Sequence, residues 1–279
     1  MVFTMDGNGR FVRVYEDARR TAVMDTPPFI FTLHENLPPR QGGPGGSNAC
    51  TRKAFSMLTD LSAQPEILDI GCGGAGMQTV ELARISPGCR ITATDVHQPY
   101  LDQLAGSAAS AGGVRDRITT VRASMDDLPF PDASFDILWA EGSIFVIGFS
   151  EGGLVSWRRL LRPGGYLCLT EAAWFVEDPS PEAAAFWNEC YPAITTVAAN
   201  RAIAEDAGCE VVATFPLPKS AWWENYYVPV LKRIEGLRPE VAGNPEAEAQ
   251  IEFAERESAV YREHADEYGY EFFILRKKE

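Results

Sequence analysis

The sequence predicts an α/β protein with a mostly parallel sheet covered by helices on both faces. Three observations carry this. From Glu66 onward, short apolar runs alternate with helical stretches, the pattern of βαβ units. A glycine-rich loop, DIGCGGAG, includes the end of the first run. The chain has 279 residues and 46% hydrophobic content, enough for one large core and a cover over it.

The elements follow in order. The first fifty residues are turn-rich, with Pro27-Pro28, Pro38-Pro39 and the run RQGGPGGS from Arg40 to Ser47. Such Pro and Gly density predicts a loop or a lid, and Ser47 is placed to cap a helix over 48–61. Ile67 to Ile70 reads as a buried strand and Gly76 to Arg84 as a helix. Arg90 to Thr94 is a second strand, and Tyr100 to Ala111 a second helix. Ile118 to Arg122 and Phe135 to Ala140 are the third and fourth strands. A helix over Gly153 to Leu161 stops at Arg162-Pro163-Gly164-Gly165, and Tyr166 to Thr170 is the fifth strand. Trp174 to Ala207 has helical periodicity, Glu210 to Phe215 reads as a sixth strand, and Lys219 to Glu267 is mostly helical. Tyr268 to Leu275 is the seventh strand. This order divides the chain into an N-terminal lid or cap segment (1–62), a nucleotide-binding core (63–218), a helical cap insertion (219–267) and a final core strand (268–279).

Composition narrows the function. The net charge is −14, and an acidic protein repels phosphate backbones, which argues against a nucleic-acid partner. The N-terminus has no apolar signal region, and no run approaches the ~18 apolar residues of a membrane span. The six cysteines, at 50, 72, 89, 168, 190 and 209, form no C-x-x-C pair, and there are three histidines, His34, His97 and His264. Neither a metal site nor a disulfide framework is expected. A cytoplasmic location follows as the expectation, and a homodimer is compatible with the sequence.

Gly71, Gly73 and Gly76 suit a nucleotide loop that turns tightly and approaches its ligand closely. They serve a dinucleotide or an adenosylmethionine-type cofactor equally well. Asp69, two residues ahead of Gly71, would repel a pyrophosphate and attract a cationic cofactor. It can also anchor the loop by bonding backbone N–H groups. Asp95 closes the second strand and can accept both ribose hydroxyls, or simply open the turn before Pro99.

With the segment DDLPFPDASFDIL, from Asp126 to Leu138, the chain resembles a class I, Rossmann-like S-adenosylmethionine-dependent methyltransferase of the kind that includes the quinone methylases. DIGCGGAG resembles the family's first motif and the acidic strand end at Asp95 its second. DDLPFPDASFDIL resembles its adenine loop and fourth strand, and LLRPGGYLCL its approach to the fifth. These motifs cover about residues 65 to 171. The QGGPGGS segment and the YGYEFFIL tail also resemble uncharacterised bacterial methyltransferases.

The resemblance implies seven strands with the last antiparallel. It implies S-adenosyl-L-methionine as cofactor and S-adenosyl-L-homocysteine as product. The backbone of Gly71, Cys72 and Gly73 would approach the methionyl part, Asp69 would hold its amino group directly or through water, and Asp95 with Val96 would meet the ribose. Many relatives have Asp where this chain has Ser124, so Ser124, the backbone of Met125 and the side chain of Asp126 are the candidates for the adenine amino group.

Methyl transfer is an in-line displacement, so positioning can supply much of the catalysis. The acceptor belongs beyond the fourth strand. There Glu141 can bind the cofactor, orient a cationic acceptor or act as base. Gln41, Phe145, Trp174, Trp223 and Tyr226 are the candidate pocket residues. Phe175, Trp222 and Tyr227 stand near them in sequence, although aromatic clusters are more often core. His97 is expected to pack near the cofactor. The expected function is methyl transfer to a small molecule. The alternatives are an NAD(P)-dependent oxidoreductase, disfavoured by Asp69, and a non-catalytic S-adenosylmethionine-binding protein.

Overall fold

The computed structural model describes residues 3–5, 11–13, 29–35, 37 and 46–278. A short antiparallel hairpin pairs β1 (Phe3–Met5) with β2 (Phe11–Arg13). The main sheet has eight strands: β3 (Glu66–Ile70), β4 (Arg90–Asp95), β5 (Ile118–Arg122), β6 (Phe135–Ala140), β7 (Leu161–Trp174), β8 (Thr195–Thr196), β9 (Cys209–Pro216) and β10 (Tyr268–Lys277). Their order is β5-β4-β3-β6-β7-β10-β9, with β8 pairing only the end of β7. β10 runs antiparallel to both neighbours and all other pairings are parallel. The Rossmann-like sheet with an antiparallel last strand is therefore present, with one short strand more than the seven expected.

Burial explains the pattern. Ile67, Leu68 and Ile70 on β3, and Ile137 to Ala140 on β6, are buried on both faces, as central parallel strands must be. Strand order reverses between β3 and β6, so β4 and β6 flank β3 and the carboxyl ends of the three strands open one crevice. The helices α3 (Met77–Ile85) and α4 (Gln98–Ser110) follow β3 and β4.

Several elements differ from expectation for physical reasons. The helix capped by Ser47, α2 (Asn48–Phe55), is shorter than 48–61. Its cap is as expected, with Cys50 N–H donating to Ser47 Oγ at 3.1 Å. The chain then turns out: Thr59 N–H donates to the Tyr166 hydroxyl at 3.3 Å and Asp60 takes φ +55°, which no α-helix continues. The helix expected over Gly153 to Leu161 is a π-helical turn over Phe149–Val155 and a 3₁₀ turn over Arg158–Leu160. The fifth strand is longer than Tyr166 to Thr170. It absorbs Arg162–Gly165 as a register irregularity against β6, where Pro163 and Gly164 are tolerated, and it extends to Trp174 because β10 pairs along it. The stretch from Trp174 to Ala207 is thus a strand end, then α5 (Pro181–Cys190), β8 and α6 (Val197–Asp206).

The late insertion is helical: α7 (Lys219–Trp222), a π turn over Trp223–Tyr227, α8 (Val228–Val241) and α9 (Pro245–His264). Trp222 stands edge-on to Tyr270 with ring centroids 4.7 Å apart. The insertion therefore packs on the start of β10, which lies beside the carboxyl end of β7. A six-residue N-terminal helix, α1 (Phe29–His34), docks against it. Arg233 Nη2 donates to Thr32 O at 3.3 Å, and His34 and Tyr226 are hydrogen-bonded. No described helix is long and apolar enough to cross a membrane.

Candidate active site

The loop after β3 is held from behind by β4. Gly71 N–H and Cys72 N–H both donate to Thr94 O at 2.9 Å. Gly71 has φ +70°, and a Cβ there would stand 2.8 Å from Ser143 Cβ and 3.2 Å from Met125 Cε. Only glycine lets the loop pass between the β5 and β6 loops. Gly73 has φ +65°, and a Cβ there would meet nothing within 4 Å. Here the missing side chain leaves open space in front of the backbone.

Asp95 ends β4 with its carboxylate fixed at both oxygens. Gly73 N–H donates to Oδ2 at 3.0 Å and His97 N–H to Oδ1 at 2.9 Å. Burial raises its pKa above the usual carboxylate value, and the His97 and Gly73 N–H bonds oppose that rise. Val96 is half-buried, and its carbonyl accepts from Arg122 Nε at 2.9 Å. Cys72 is buried, and burial followed by the charges of Asp95 and Asp69 pushes its thiol well above its usual pKa.

Asp69 is buried with no exposed surface. Its Oδ2 accepts from Thr79 Oγ1 at 2.5 Å and its Oδ1 from Gln78 Nε2 at 3.5 Å. Gln78 Nε2 also donates to Cys72 O at 2.9 Å. Asp69 thus ties the strand end to α3 through the side chains of Thr79 and Gln78.

On the loop after β5, Ser124 Oγ donates to the Asp126 carboxylate. The Met125 carbonyl accepts from Trp157 Nε1 at 2.8 Å, which turns Met125 O into the fold. After β6, Glu141 Oε1 accepts from Thr51 Oγ1 at 2.6 Å and Trp139 Nε1 at 2.9 Å. Glu141 therefore ties α2 to the mouth of the crevice. Ser143 Oγ donates to Ile70 O at 2.8 Å.

The aromatic candidates are well packed. Phe145 is buried edge-on to Tyr191 at 6.2 Å. Trp174 stands against Trp187 and Tyr268, and Trp223 against Tyr227. Tyr226 is buried on His34. Gln41 and the loop from Arg40 to Gly45 lie outside the described residues.

The sequence reading missed α1. Its Phe31 ring stacks on His97 at 4.4 Å, and Glu35 Oε1 lies 2.6 Å from His97 Nε2. The His34 carbonyl is 3.3 Å from the place where a Gly74 Cβ would stand. The available signal was Pro27-Pro28 just ahead of an apolar turn, since proline favours the first helical position.

This sheet order and the glycine-rich loop after β3 make a Rossmann-like α/β fold. Residues 68–169 match the family model described as "Methyltransferase domain". The chain is 35% identical over 144 residues to an O-methyltransferase, resE, of Aspergillus sclerotiorum, covering 50% of this chain and 52% of that one. It is 32% identical over 141 residues to the 27-O-demethylrifamycin SV methyltransferase of Amycolatopsis mediterranei, covering 48% and 50%. It thus spans about half the length of these relatives. Among solved structures, a SAM-dependent methyltransferase from Geobacter sulfurreducens in complex with S-adenosyl-L-homocysteine superposes with a TM-score of 0.72 at 20% identity, covering 91% of this chain and 100% of that one.

Proposed function

We propose that the protein is an S-adenosyl-L-methionine-dependent methyltransferase acting on a small-molecule acceptor. The observation that carries this is the carboxylate of Asp95, fixed by Gly73 and His97 beside the open space in front of Gly73. These residues fit an adenosyl group. A strand-end carboxylate accepts ribose hydroxyls, and a side-chain-free backbone admits the aminoacyl part. When bound, the cofactor supplies a methyl group activated on a cationic sulfur.

The chain's residues then divide the work. Gly71, Cys72 and Gly73 line the methionyl part, while Asp95 and Val96 hold the ribose. Ser124, Met125 N–H and Asp126 flank adenine. Asp69 holds the amino group directly or through water, and its bonds to Thr79 and Gln78 tie it to α3. Glu141 acts first as a tie to Thr51, which keeps α2 over the crevice. Phe145, Trp174, Trp223 and Tyr226 form the apolar surroundings of the acceptor. Such a site works by orientation and exclusion of water, which can contribute on the order of 7–11 kcal/mol.

The names of the two relatives above, both methylating oxygen, support an oxygen acceptor. The net charge of −14 supports a small molecule over nucleic acid. The six free, buried cysteines support a reducing cytoplasm. The family match disfavours the oxidoreductase alternative. Calorimetric titration with S-adenosylmethionine and with NADH tests the reading. Binding of the first alone supports it, and binding of NADH alone would overturn it.

A further inference from the structure

We propose that Tyr226 and His34 form a proton-accepting dyad for the acceptor, which presents a hydroxyl to Tyr226. This rests on the methyltransferase reading above.

The hydrogen bonds fix the direction of the dyad. His34 Nδ1 lies 2.8 Å from Ile30 O, and a carbonyl can only accept, so Nδ1 carries the hydrogen. In that neutral tautomer Nε2 is a lone pair. Tyr226 OH, 3.0 Å away, therefore donates to it. With its hydrogen committed, Tyr226 Oη can only accept from a third group. It selects an acceptor that carries a hydroxyl hydrogen and discriminates against one that offers a carbonyl or an ether in its place.

Groups adjacent to the dyad along the chain reach the elements that border the crevice. On one side the His34 carbonyl abuts Gly74 of the glycine loop. The next residue, Glu35, pairs with His97 behind Asp95. On the other side Asn225, beside Tyr226, donates to Gly46 O at 3.0 Å. Gly46 precedes the Ser47 cap of α2, the helix whose Thr51 holds Glu141. The ends of β3, β4 and β6 are thus all linked to the residues that carry the dyad.

Both partners are buried, His34 with 8% and Tyr226 with 3% of their surface exposed. Burial, opposed in part by the Ile30 carbonyl, lowers the His34 pKa to about 4, so the ring is neutral at neutral pH. Burial and the charge of Glu257 raise the Tyr226 pKa well above its usual value. Tyr226 does not ionise by itself and passes a proton on as it receives one. Other titratable groups around the dyad are Tyr227 and Glu257 from the insertion, joined at 3.4 Å, and Tyr270 from β10, which Tyr226 influences. Arg233 is bound to Thr32 O and Glu246 to Phe29 N–H, while Glu35 and His97 face the glycine loop.

The step balances. The acceptor O–H bond breaks and its proton joins Tyr226 Oη, while the proton of Tyr226 moves to His34 Nε2. The electron pair left on the acceptor oxygen forms the new O–C bond to the methyl supplied by S-adenosylmethionine, whose sulfonium departs as a neutral thioether. One positive charge disappears at sulfur and one appears on His34, so the net charge of the site is unchanged. His34 returns its proton to solvent after the transfer.

The test is ¹⁵N NMR of histidine-labelled protein, in which three histidines are followed and His34→Gln identifies the His34 signal. Wild-type protein is titrated with pH in its S-adenosylmethionine and S-adenosylhomocysteine complexes. The expected result is a His34 protonated at Nδ1 only near pH 7, with a pKa about one unit higher beside the thioether than beside the sulfonium. Equal pKa values in the two complexes would place His34 out of reach of the donor charge and overturn the dyad. Failure to bind either nucleotide would instead overturn the methyltransferase reading. Phenol and anisole, added to the homocysteine complex, test the hydroxyl. Phenol alone should move the Nε2 signal, whereas equal effects, or none from either, would overturn the hydroxyl assignment.

Discussion

Gly73 N–H donates to Asp95 Oδ2 at 3.0 Å, so the loop that faces the ligand and the carboxylate that would hold the ribose are one unit. Asp95→Ala removes the ligand contact and frees the loop together. Charge-assisted hydrogen bonds contribute about 1.5–3 kcal/mol each. The variant should bind S-adenosylmethionine at least ~10-fold more weakly by calorimetry. Asp95→Asn keeps one acceptor oxygen and should lose less. Undiminished binding in Asp95→Ala would place the ribose elsewhere.

The two loop glycines should fail differently when changed to alanine. Both have positive φ, which costs an alanine about 1–3 kcal/mol. At Gly71 the added methyl also meets Ser143 Cβ at 2.8 Å, whereas at Gly73 it meets nothing within 4 Å. Gly71→Ala should therefore lose about 3 kcal/mol of stability in urea unfolding, with overpacking as the added term. Gly73, at φ 65° and ψ −177°, lies where essentially only glycine goes, so Gly73→Ala should lose about 1–3 kcal/mol, yet show the larger specific loss of nucleotide binding, because its methyl enters the ligand's space.

These positions show what was legible beforehand. The alternation from Glu66 is a local signal, and the core strands follow from it, with Asp95 at the end of β4. Asp69 was legible as an anchor but not in its partners, since Thr79 and Gln78 reach it only once α3 packs on β3. His34 was opaque. Its helix has six residues, too short for a periodic signal, and Tyr226 lies 192 residues further along the chain. The strand through Arg162–Gly165 was hidden because Pro and Gly read as a break, while pairing with β6 and β10 carries the strand past them.

Glu141 and Thr51 should behave as a coupled pair. Thr51 is buried on α2 and donates to Glu141 Oε1 at 2.6 Å, linking two elements far apart in sequence. Thr51→Val removes the donor and leaves Trp139 Nε1 on the same oxygen. The single variant should lose about 1–2 kcal/mol of stability. A double-mutant cycle with Glu141→Gln should return a coupling of about 1 kcal/mol. A coupling near zero would mean that α2 is held by other contacts and that Glu141 is available for chemistry.

Two histidines should bend the stability–pH curve in opposite senses. His34 has its folded pKa lowered from 6.5 to about 4 by burial. Below pH 6.5 the unfolded chain takes up a proton that the folded chain refuses, so stability falls as pH drops from 6.5 to 4, by about 3 kcal/mol at most for this shift. His264 is the reverse. Its pKa is raised, first by its hydrogen bond to Glu267 and then by Glu182. Its contribution is full below pH 6.5 and is lost as pH rises through the folded value. Glu267, lowered first by the Ser180 N–H, contributes above pH 4.5 and loses its contribution as pH falls through its own lowered value. Urea titrations across pH should therefore show His34→Gln with a shallower decline between pH 6.5 and 4, compared with wild type. His264→Gln should flatten the decline above pH 6.5 and leave the acid limb of His34 in place. If His34→Gln retains the full acid slope, the slope belongs to other groups, and the ring of His34 is already accessible to protons in the folded state.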